Sequence, residues 1–321
     1  MTEQLSSNQE DAAEGRKSRA SGTRKALAGL AATTSSSPFG FGRLGSILLW
    51  GVAPLLVGLW LAQSLVPRPA VGIIRLNTDI WAGSASLVTA QIDEARQDPT
   101  IHAVVLQLDS PGGEVAASQA LYLELQNLRR EMPVVSSIDG MAASGAYYAA
   151  MGTHPIYAKP SSTVGNVGAW GFIPPDIGVN EVILSSGPFK LTASNRDEFL
   201  RSIEEIKREF VQTVFSQRGE RLNISPADLS QGLAYSGREA LSRGLIDGLG
   251  SQSVAVRAAA QLAGIANYQV IDLEARVIDQ FVEEGEEALE PWTAAADPVT
   301  GRRVLPPGAY LLYDIQLGGT P

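Results

Sequence analysis

Ser144 lies in the segment MAASGAYYAA, residues 141–150, where alanine and glycine surround it and two tyrosines follow. The preceding PVVSSIDG is typical of a strand, so the serine stands where a helix is expected to begin. Two interpretations are open. Ser144 caps the helix, or it is a nucleophile whose small neighbours let a substrate backbone come close.

A second turn of this kind, DSPGGEV at 109–115, follows the apolar run AVVLQL. It leaves backbone N–H groups without intrahelical acceptors, and its adjacent glycines admit another backbone. It can be a plain strand-to-helix turn, bind phosphate, pair with an extended substrate or supply half of an oxyanion hole, although it lacks the lysine of a P-loop. On neighbouring parallel strands, the amides of Gly113 and Gly145 would converge with the Ser144 hydroxyl.

A nucleophilic serine needs a base, and the chain offers few. It has no cysteine, which excludes thiol catalysis, disulfides and cysteine-ligated metals, and it has two histidines, His102 and His154, at positions typical of structural residues. A lysine can replace histidine if its amine is neutral. Lowering a lysine pKa from ~10.4 to ~7–8 takes about 4 kcal/mol of desolvation and positive neighbours, so the base should lie in an acid-poor, apolar place.

The lysines separate on this criterion. Lys207 stands beside Glu204 and Glu205, and Lys159 follows a short strand in a setting typical of the surface. Lys190, in ILSSGPFKLTAS, has no acidic residue within five positions on either side. Lys190 is therefore the best candidate for the base.

The elements that must position these residues alternate in type. AVGIIRL, AVVLQLD and PVVSSID are predicted strands, and SASLVTAQIDEARQD and EVAASQALYLELQNLRRE are predicted helices. This alternation predicts right-handed βαβ units and an α/β core. Residues 195–218 have apolar side chains at helical spacing, with Ser194 or Asn195 as the predicted cap.

Residues 46–66 supply 21 largely apolar residues, and about 20 are enough to span a bilayer. A cleaved signal peptide would have a shorter apolar run behind a shorter leader, so we expect a retained single-pass anchor in the cell membrane. Six basic residues precede it and two follow soon after, which predicts a cytoplasmic amino terminus and an extracytoplasmic main domain.

Four regions are predicted from these patterns: a flexible cytoplasmic tail at 1–43, the anchor at 44–67, a folded domain at 68–270, and an extension at 271–321 with an acidic segment. The net charge of −9 argues against a nucleic-acid-binding face. No cofactor and no metal site is predicted.

DSPGG, then MAASGAYYAA, then Gly-X-X-Lys at Gly187–Lys190 together resemble the signal peptide peptidase A family. YAKPSSTVGNVGAWG and LAYSGREALSRGLIDGLGS are similar to that family too, so the resemblance covers roughly residues 70–265. It implies a membrane-anchored Ser–Lys protease with the repeated ββα/βαβ core of Clp proteases and crotonases.

The resemblance also implies roles for single residues. Ser144 would be the nucleophile, Lys190 its general base, and the amides of Gly113 and Gly145 the oxyanion hole. Such proteins cleave remnant signal peptides or other apolar membrane-associated peptides. The short members form homo-oligomers in which the serine of one protomer meets the lysine of its neighbour.

Two departures from the family and one further likeness stand out. Asn166 occupies the place where relatives carry a serine that hydrogen-bonds the lysine amine, and its carbonyl could accept the same bond. The stretch 171–185 is shorter than in many relatives. The terminal PPGAYLLYDI resembles the family's C-terminal segment and is expected to lie in the substrate groove as an extended strand.

Three alternative functions stay open. A crotonase-like enzyme acting on acyl-CoA would share the oxyanion hole, but the anchor and the lack of a matching basic phosphate site disfavour it. The chain could also be a catalytically inactive membrane-anchored oligomeric scaffold. It could instead be a processing protease for one specific membrane partner.

Overall fold

The computed structural model of the protein describes residues 48–65, 67–172, 186–187, 189–190, 193–284 and 309–312. The chain divides into two compact units, Met1–Pro67 and Arg68–Pro321. The predicted tail at 1–43 lies outside the described residues.

In the first unit, a π-helical turn, Leu48–Val52, leads into helix α1, Ala53–Leu65. Within the part of the chain that the structure describes, no helix is both long and apolar enough to cross a membrane. The membrane anchor stays a prediction.

Short loops separate most strands and helices of the second unit. Its strands are β1 (Ala70–Leu76), β2 (Ile101–Ser110), β3 (Gly112–Glu114), β4 (Val134–Ala143), β5 (Ile156–Ala158), β6 (Thr163–Gly165), β7 (Trp170–Gly171), β8 (Ala234–Ser236), β9 (Gly248–Leu249), β10 (Gln269–Asp272) and β11 (Ala309–Leu312). Its helices are α2 (Ala82–Gln97), α3 (Val115–Glu131), α4 (Gly145–Ala150), α5 (Arg196–Arg218), α6 (Pro226–Leu229), α7 (Gly237–Ser242), α8 (Gln252–Leu262) and α9 (Leu273–Glu284).

The main sheet is mostly parallel. Its strands run in the order β10–β1–β2–β4–β5–β9, with parallel pairing at every step. Strand β6 lies parallel to the end of β4, and β8 is antiparallel to β6. Helices α2 and α3 connect successive parallel strands, so the predicted α/β core of βαβ units is confirmed.

Apolar side chains cover both faces of this sheet. Successive residues of a strand point to opposite faces, and therefore a strand buried on both sides is a continuous apolar run rather than an alternating one. In β1, Ile74 belongs to the core under α2 and α3, whereas Ile73 belongs to a second cluster with Ala255 and Ala259 of α8.

The ends of the predicted folded domain have their own contacts. Strand β10 pairs with β1 across the predicted boundary at residue 270, and α9 buries Leu273 and Val277. The cap of α5 is Asn195, whose side chain accepts a hydrogen bond from the Glu198 N–H at 2.8 Å. The α5 side chains that are fully buried, such as Phe210 and Val214, lie in its second half.

Candidate active site

Ser144 forms a sharp turn between β4 and α4. Its backbone has φ 51° and ψ −120°, a left-handed conformation that is unfavourable for residues other than glycine and is concentrated at functional sites. A strained serine between a strand and a helix is the arrangement of a nucleophile elbow, which presents the hydroxyl at the carboxyl end of a strand. The Ser144 side chain makes no capping hydrogen bond, so its position is not explained by a capping role.

Backbone hydrogen bonds hold this turn from both sides. The Ser144 N–H donates to the Gly165 carbonyl at 2.8 Å, and its carbonyl accepts from the Tyr148 N–H at 2.9 Å. The residue is 1% exposed, and within the described residues its hydroxyl has no hydrogen-bond partner. The backbone of Ser144 is thus fixed in place, while its hydroxyl has no hydrogen-bond partner in the described part of the chain.

The two tyrosines after the serine anchor α4. The Tyr147 hydroxyl donates to the Leu245 carbonyl at 2.7 Å, and the Tyr148 hydroxyl donates to Glu209 Oε1 at 3.0 Å. Burial raises the pKa of both phenols, that of Tyr148 to about 12. Both therefore stay protonated at neutral pH, where they act as hydrogen-bond donors and not as bases.

Gly113 is required by its close contact with the loop before α2. A side chain at this position would collide with the Ile80 backbone. The Ile80 N–H donates to the Gly112 carbonyl, and the Ile80 carbonyl accepts from the Glu114 N–H, each at 2.8 Å. Because neighbouring residues of a strand direct their N–H groups to opposite sides, the Gly113 N–H faces away from Ile80, towards β11.

Gly145 contributes a second amide. It is the first residue of α4, so its N–H has no intrahelical acceptor. The strands that lead to the two glycine turns, β2 and β4, are parallel neighbours, with Ser110 opposite Ala142. The structure thus brings the turns of Gly113 and Gly145 to adjacent strand ends, as their proposed convergence requires.

An extended segment lies beside Gly113. Strand β11 lies between β3 and β7 and is antiparallel to both, with Leu311 opposite Gly113 and Tyr310 opposite Trp170. Trp170 also makes an edge-to-face contact with Phe172, at 5.3 Å between ring centroids. The C-terminal segment therefore lies as an extended strand next to one of the candidate oxyanion amides, between β3 and β7.

Asn166 continues the register between β4 and β6. Ala143 is opposite Gly165, so Asn166 comes next to Ser144. Its backbone has φ 54°, its N–H donates to the Leu233 carbonyl at 2.9 Å, and its side-chain Nδ2 donates to the Gly232 carbonyl at 2.7 Å. Within the described residues the side-chain carbonyl has no donor, and the prediction that it accepts from the lysine amine stays a prediction.

Lys190 is exposed in a turn, where its N–H donates to the Gly187 carbonyl at 3.2 Å. Among the described residues its amine makes no ion pair and no hydrogen bond, including none to Ser144. Most of the shortened stretch at 171–185 lies outside the described residues. One chain alone therefore does not test whether Lys190 serves as the base.

The other lysines of the described part are paired with carboxylates. Lys159 Nζ lies 3.5 Å from Asp139 Oδ1, and Lys207 Nζ lies 2.6 Å from Glu204 Oε2. These are the opposite of the acid-poor setting that a neutral amine needs. Lys190 remains the favoured candidate.

Two residues that support the site were missed by sequence reasoning. Gly165 has φ 105°, and its carbonyl receives the Ser144 N–H. Asp109 Oδ1 accepts from the Met141 N–H at 3.0 Å and packs against Gly140, which ties the end of β2 to the end of β4. The sequence signal that could have indicated Gly165 is its position before Asn166, because a glycine next to an asparagine is common in turns.

Two family models match this chain. Peptidase family S49 matches residues 126–266, and Clp protease matches residues 69–164. Together the two matches extend from β1 to the loop after α8 and include Gly113, Ser144 and Lys190.

Three proteins named as proteases are similar over the same region. Protease 4 of Salmonella typhi is 34% identical over 195 residues, which cover 56% of this chain and 31% of that protein. Serine protease SPPA, chloroplastic, of Arabidopsis thaliana is 27% identical over 221 residues, 63% of this chain and 33% of that protein. A candidate protease of Synechocystis sp., slr0021, is 31% identical over 211 residues, 62% of this chain and 76% of that protein.

This chain spans about a third of the length of the Salmonella and Arabidopsis relatives. It covers three quarters of the Synechocystis relative, and the two family models meet on its α/β core. The chain therefore belongs to peptidase family S49, the signal peptide peptidase A family of serine peptidases.

Proposed function

We propose that this chain is a membrane-bound serine endopeptidase in which Ser144 attacks a peptide carbonyl and Lys190 removes the hydroxyl proton. The observation that carries the proposal is the turn at Ser144: a buried serine, whose hydroxyl has no hydrogen-bond partner among the described residues, on a strained backbone between a strand and a helix. Strain of about 1–3 kcal/mol persists only where the surroundings hold it, and such positions are typical of functional sites.

The chemical steps follow from the groups around this turn. The neutral amine of Lys190 accepts the Ser144 proton as the oxygen bonds to the substrate carbonyl carbon. The resulting oxyanion is stabilised by the N–H groups of Gly113 and Gly145. The lysine then protonates the leaving amine, which gives an acyl-enzyme, and water activated by the same lysine hydrolyses it.

The base is proposed to come from a neighbouring protomer of a homo-oligomer. Ser144 is buried, whereas Lys190 is exposed and its amine has no carboxylate partner among the described residues. Because this amine has no ion pair among the described residues, no ion pair there has to be broken when it enters the apolar site of another protomer. This arrangement also meets the requirement for a desolvated lysine.

The substrate is proposed to be an extended apolar peptide, such as a signal-peptide remnant or another membrane-associated segment. The position that β11 occupies supports this class, because β3 pairs there with an extended segment and the aromatic residues Trp170 and Phe172 lie at or next to the strand on its other side. An anchor at 44–67, with the amino terminus in the cytoplasm, would keep the domain beside such substrates.

A peptide-cleavage assay with the full chain in detergent tests the dyad. We expect Ser144→Ala and Lys190→Ala each to lower kcat/KM by at least about 10³-fold, while Lys159→Ala, a matched lysine change, leaves it unchanged. Cleavage at the wild-type rate by either dyad variant would contradict the assignment.

Mixing the two inactive variants tests where the base comes from. If the serine of one protomer meets the lysine of the next, random co-assembly restores about a quarter of the wild-type activity, because half of the protomers carry each intact residue. If both residues act within one chain, mixing restores nothing.

A second candidate function is an inactive membrane-anchored oligomeric scaffold. The side-chain nitrogen of Asn166 is bound to the Gly232 carbonyl, at the place where relatives carry the lysine-orienting serine. A wild-type oligomer that assembles but cleaves none of a broad panel of apolar peptides would favour this scaffold. Cleavage of one membrane partner alone would indicate a dedicated processing protease.

A further inference from the structure

We propose that a pocket lined by arginines, at the opposite end of β4 from Ser144, binds a phosphate group of a mono- or diester. This arginine pocket is a cavity of about 490 Å³ whose polar and apolar lining includes Arg129, Arg130, His154, Gln217, Arg221 and Leu262. The proposal does not depend on the peptidase function.

The arginine pocket is separate from the serine site. Arg129 and Arg130 lie in the last turn of α3, and His154 comes just before β5, so the pocket lies at the amino ends of β4 and β5. Ser144 follows the carboxyl end of β4. A strand of ten residues extends over about 30 Å, so a ligand of moderate size cannot reach both places.

The pocket has an excess of positive charge in an acidic protein. Among the described residues, no carboxylate lies within 4.0 Å of the Arg129 or Arg130 guanidinium, and the hydrogen bonds of both go to neutral groups. The carboxylate that lines the cavity, Glu131, is 3.3 Å from Arg96 Nε and is therefore already paired. The chain as a whole has a net charge of −9, so this local excess is not a general property of its surface.

A second carboxylate close to the pocket, that of Asp247, is also paired. Asp247 Oδ1 lies 3.7 Å from Arg221 Nη1, and its Oδ2 lies 3.5 Å from His154 Nδ1. The buried Arg218 makes two hydrogen bonds to this carboxylate, at 2.8 and 3.0 Å. One charge of Asp247 thus offsets Arg218, and the guanidiniums of the pocket are left with a net positive charge.

The pocket holds two guanidiniums in fixed positions. Arg129 donates to the Thr153 carbonyl and to Gln217 Oε1, both at 3.2 Å. Arg221 donates through Nε to the Arg218 carbonyl at 3.0 Å and through Nη2 to the Gln217 carbonyl at 2.6 Å. Arg221 Nη1 also lies 3.1 Å from His154 Nε2 and 3.7 Å from Asp247 Oδ1. The donors left over within the described part of the chain therefore belong mainly to Arg129, which has five N–H groups and uses two of them in these contacts.

This chemistry fits phosphate. A planar guanidinium matches two oxygens of a phosphate group and remains charged at any physiological pH. Burial, together with the positive charges of Arg221 and Arg130, lowers the pKa of Arg129, and a bound anion would relieve this repulsion. The cavity is larger than a phosphate ion, and Met132, Pro133 and Leu262 give it an apolar side that suits an attached organic group.

The test uses the full chain in detergent and two probes. Calorimetric titration with glycerol 3-phosphate measures binding of a soluble monoester. Titration with short-chain phosphatidylglycerol, compared with phosphatidylcholine in the same detergent, measures binding of an anionic lipid headgroup. Binding of the first probe alone identifies a soluble ligand, and binding of phosphatidylglycerol alone identifies a lipid.

Variants locate the binding. We expect Arg129→Gln and Arg221→Gln each to weaken binding at least about tenfold. Arg130→Gln removes an exposed guanidinium whose hydrogen bond among the described residues goes to Asn127, so it tests the pocket without loss of a core contact. Arg201→Gln is the matched control and should bind as wild type, because Arg201 is exposed and lies near the start of α5, at the opposite end of the helix from Gln217. The proposal is overturned if neither probe binds, or if all three pocket variants bind as wild type.

Discussion

Ser144 and Lys190, the two halves of the proposed dyad, are held in opposite ways. Ser144 is buried, and its backbone is fixed by hydrogen bonds to Gly165 and Tyr148. Lys190 is exposed, and the hydrogen bond seen for it among the described residues is a backbone contact with Gly187. The difference indicates that the chain preorganises its own serine but not its own lysine.

The energetics of the two regions differ accordingly. A left-handed serine costs about 1–3 kcal/mol, which the fold must offset. Each hydrogen bond around the turn contributes about 0.5–1.5 kcal/mol, so the Ser144 bonds and those of the tyrosines together suffice. Lys190 itself does not have a positive φ, although Ala193, three positions later, has φ 62°. A base that acts in another protomer, as proposed, would be positioned by that protomer.

The largest expected effect separates function from stability at Lys190. Lys190→Ala should lower kcat/KM by at least about 10³-fold, because it removes the proposed base. It should change the free energy of unfolding by less than about 0.5 kcal/mol, because the side chain is exposed and unpaired within the described residues. Peptide cleavage and denaturant titration of the same preparation measure both. A loss of stability above about 1 kcal/mol would mean that Lys190 is packed within its own protomer.

Gly113→Ala should affect both properties. The added Cβ would collide with the Ile80 backbone, so β3 must shift, and the free energy of unfolding should fall by about 1–3 kcal/mol. Since the same shift misplaces an oxyanion donor, kcat should fall by about 10²-fold while KM changes less. Gly168→Ala, where the nearest atom to an added Cβ is 3.8 Å away, is the matched control.

Wild-type kcat in Gly113→Ala, together with the loss of stability, would separate the two roles. In that case Gly113 would be a packing glycine and not an oxyanion donor.

Tyr147→Phe sharpens the comparison on the serine side. It leaves the buried Leu245 carbonyl without its donor, which costs about 1–3 kcal/mol of unfolding free energy. Gly145, whose N–H is a proposed oxyanion donor, is the first residue of α4. A less firmly held α4 should therefore misplace this donor and lower kcat several-fold. Tyr157→Phe, on the other face of the sheet, is a control that should change neither quantity by much.

The serine side was largely predictable from the sequence, and the rest of the site was not. Apolar runs and glycine turns located β2, β4, Gly113 and Ser144, because strand ends and tight turns depend on local residue types. The lack of acidic residues near Lys190 in the sequence indicated it as the base. The sequence could not indicate where its amine lies relative to a serine, since that serine is proposed to belong to another chain. The Asp109–Met141 contact was equally invisible, because no periodicity specifies a contact 32 positions away.

The smallest expected effect concerns the C-terminal strand. The pairing of β11 with β3 places Leu311 opposite Gly113, where a bound peptide is proposed to lie. A segment that fills this position part of the time raises the apparent KM by the inverse of the fraction of time that the position is free, so an occupancy of about two thirds raises it about threefold. Truncation before Ala309 should therefore lower KM several-fold and leave kcat unchanged. A chain with residues 309–312 replaced by Gly-Ser residues is the length-matched control and should behave like the truncation. If instead both variants lose kcat and stability, β11 is a structural strand of the small sheet, and the substrate must pair elsewhere.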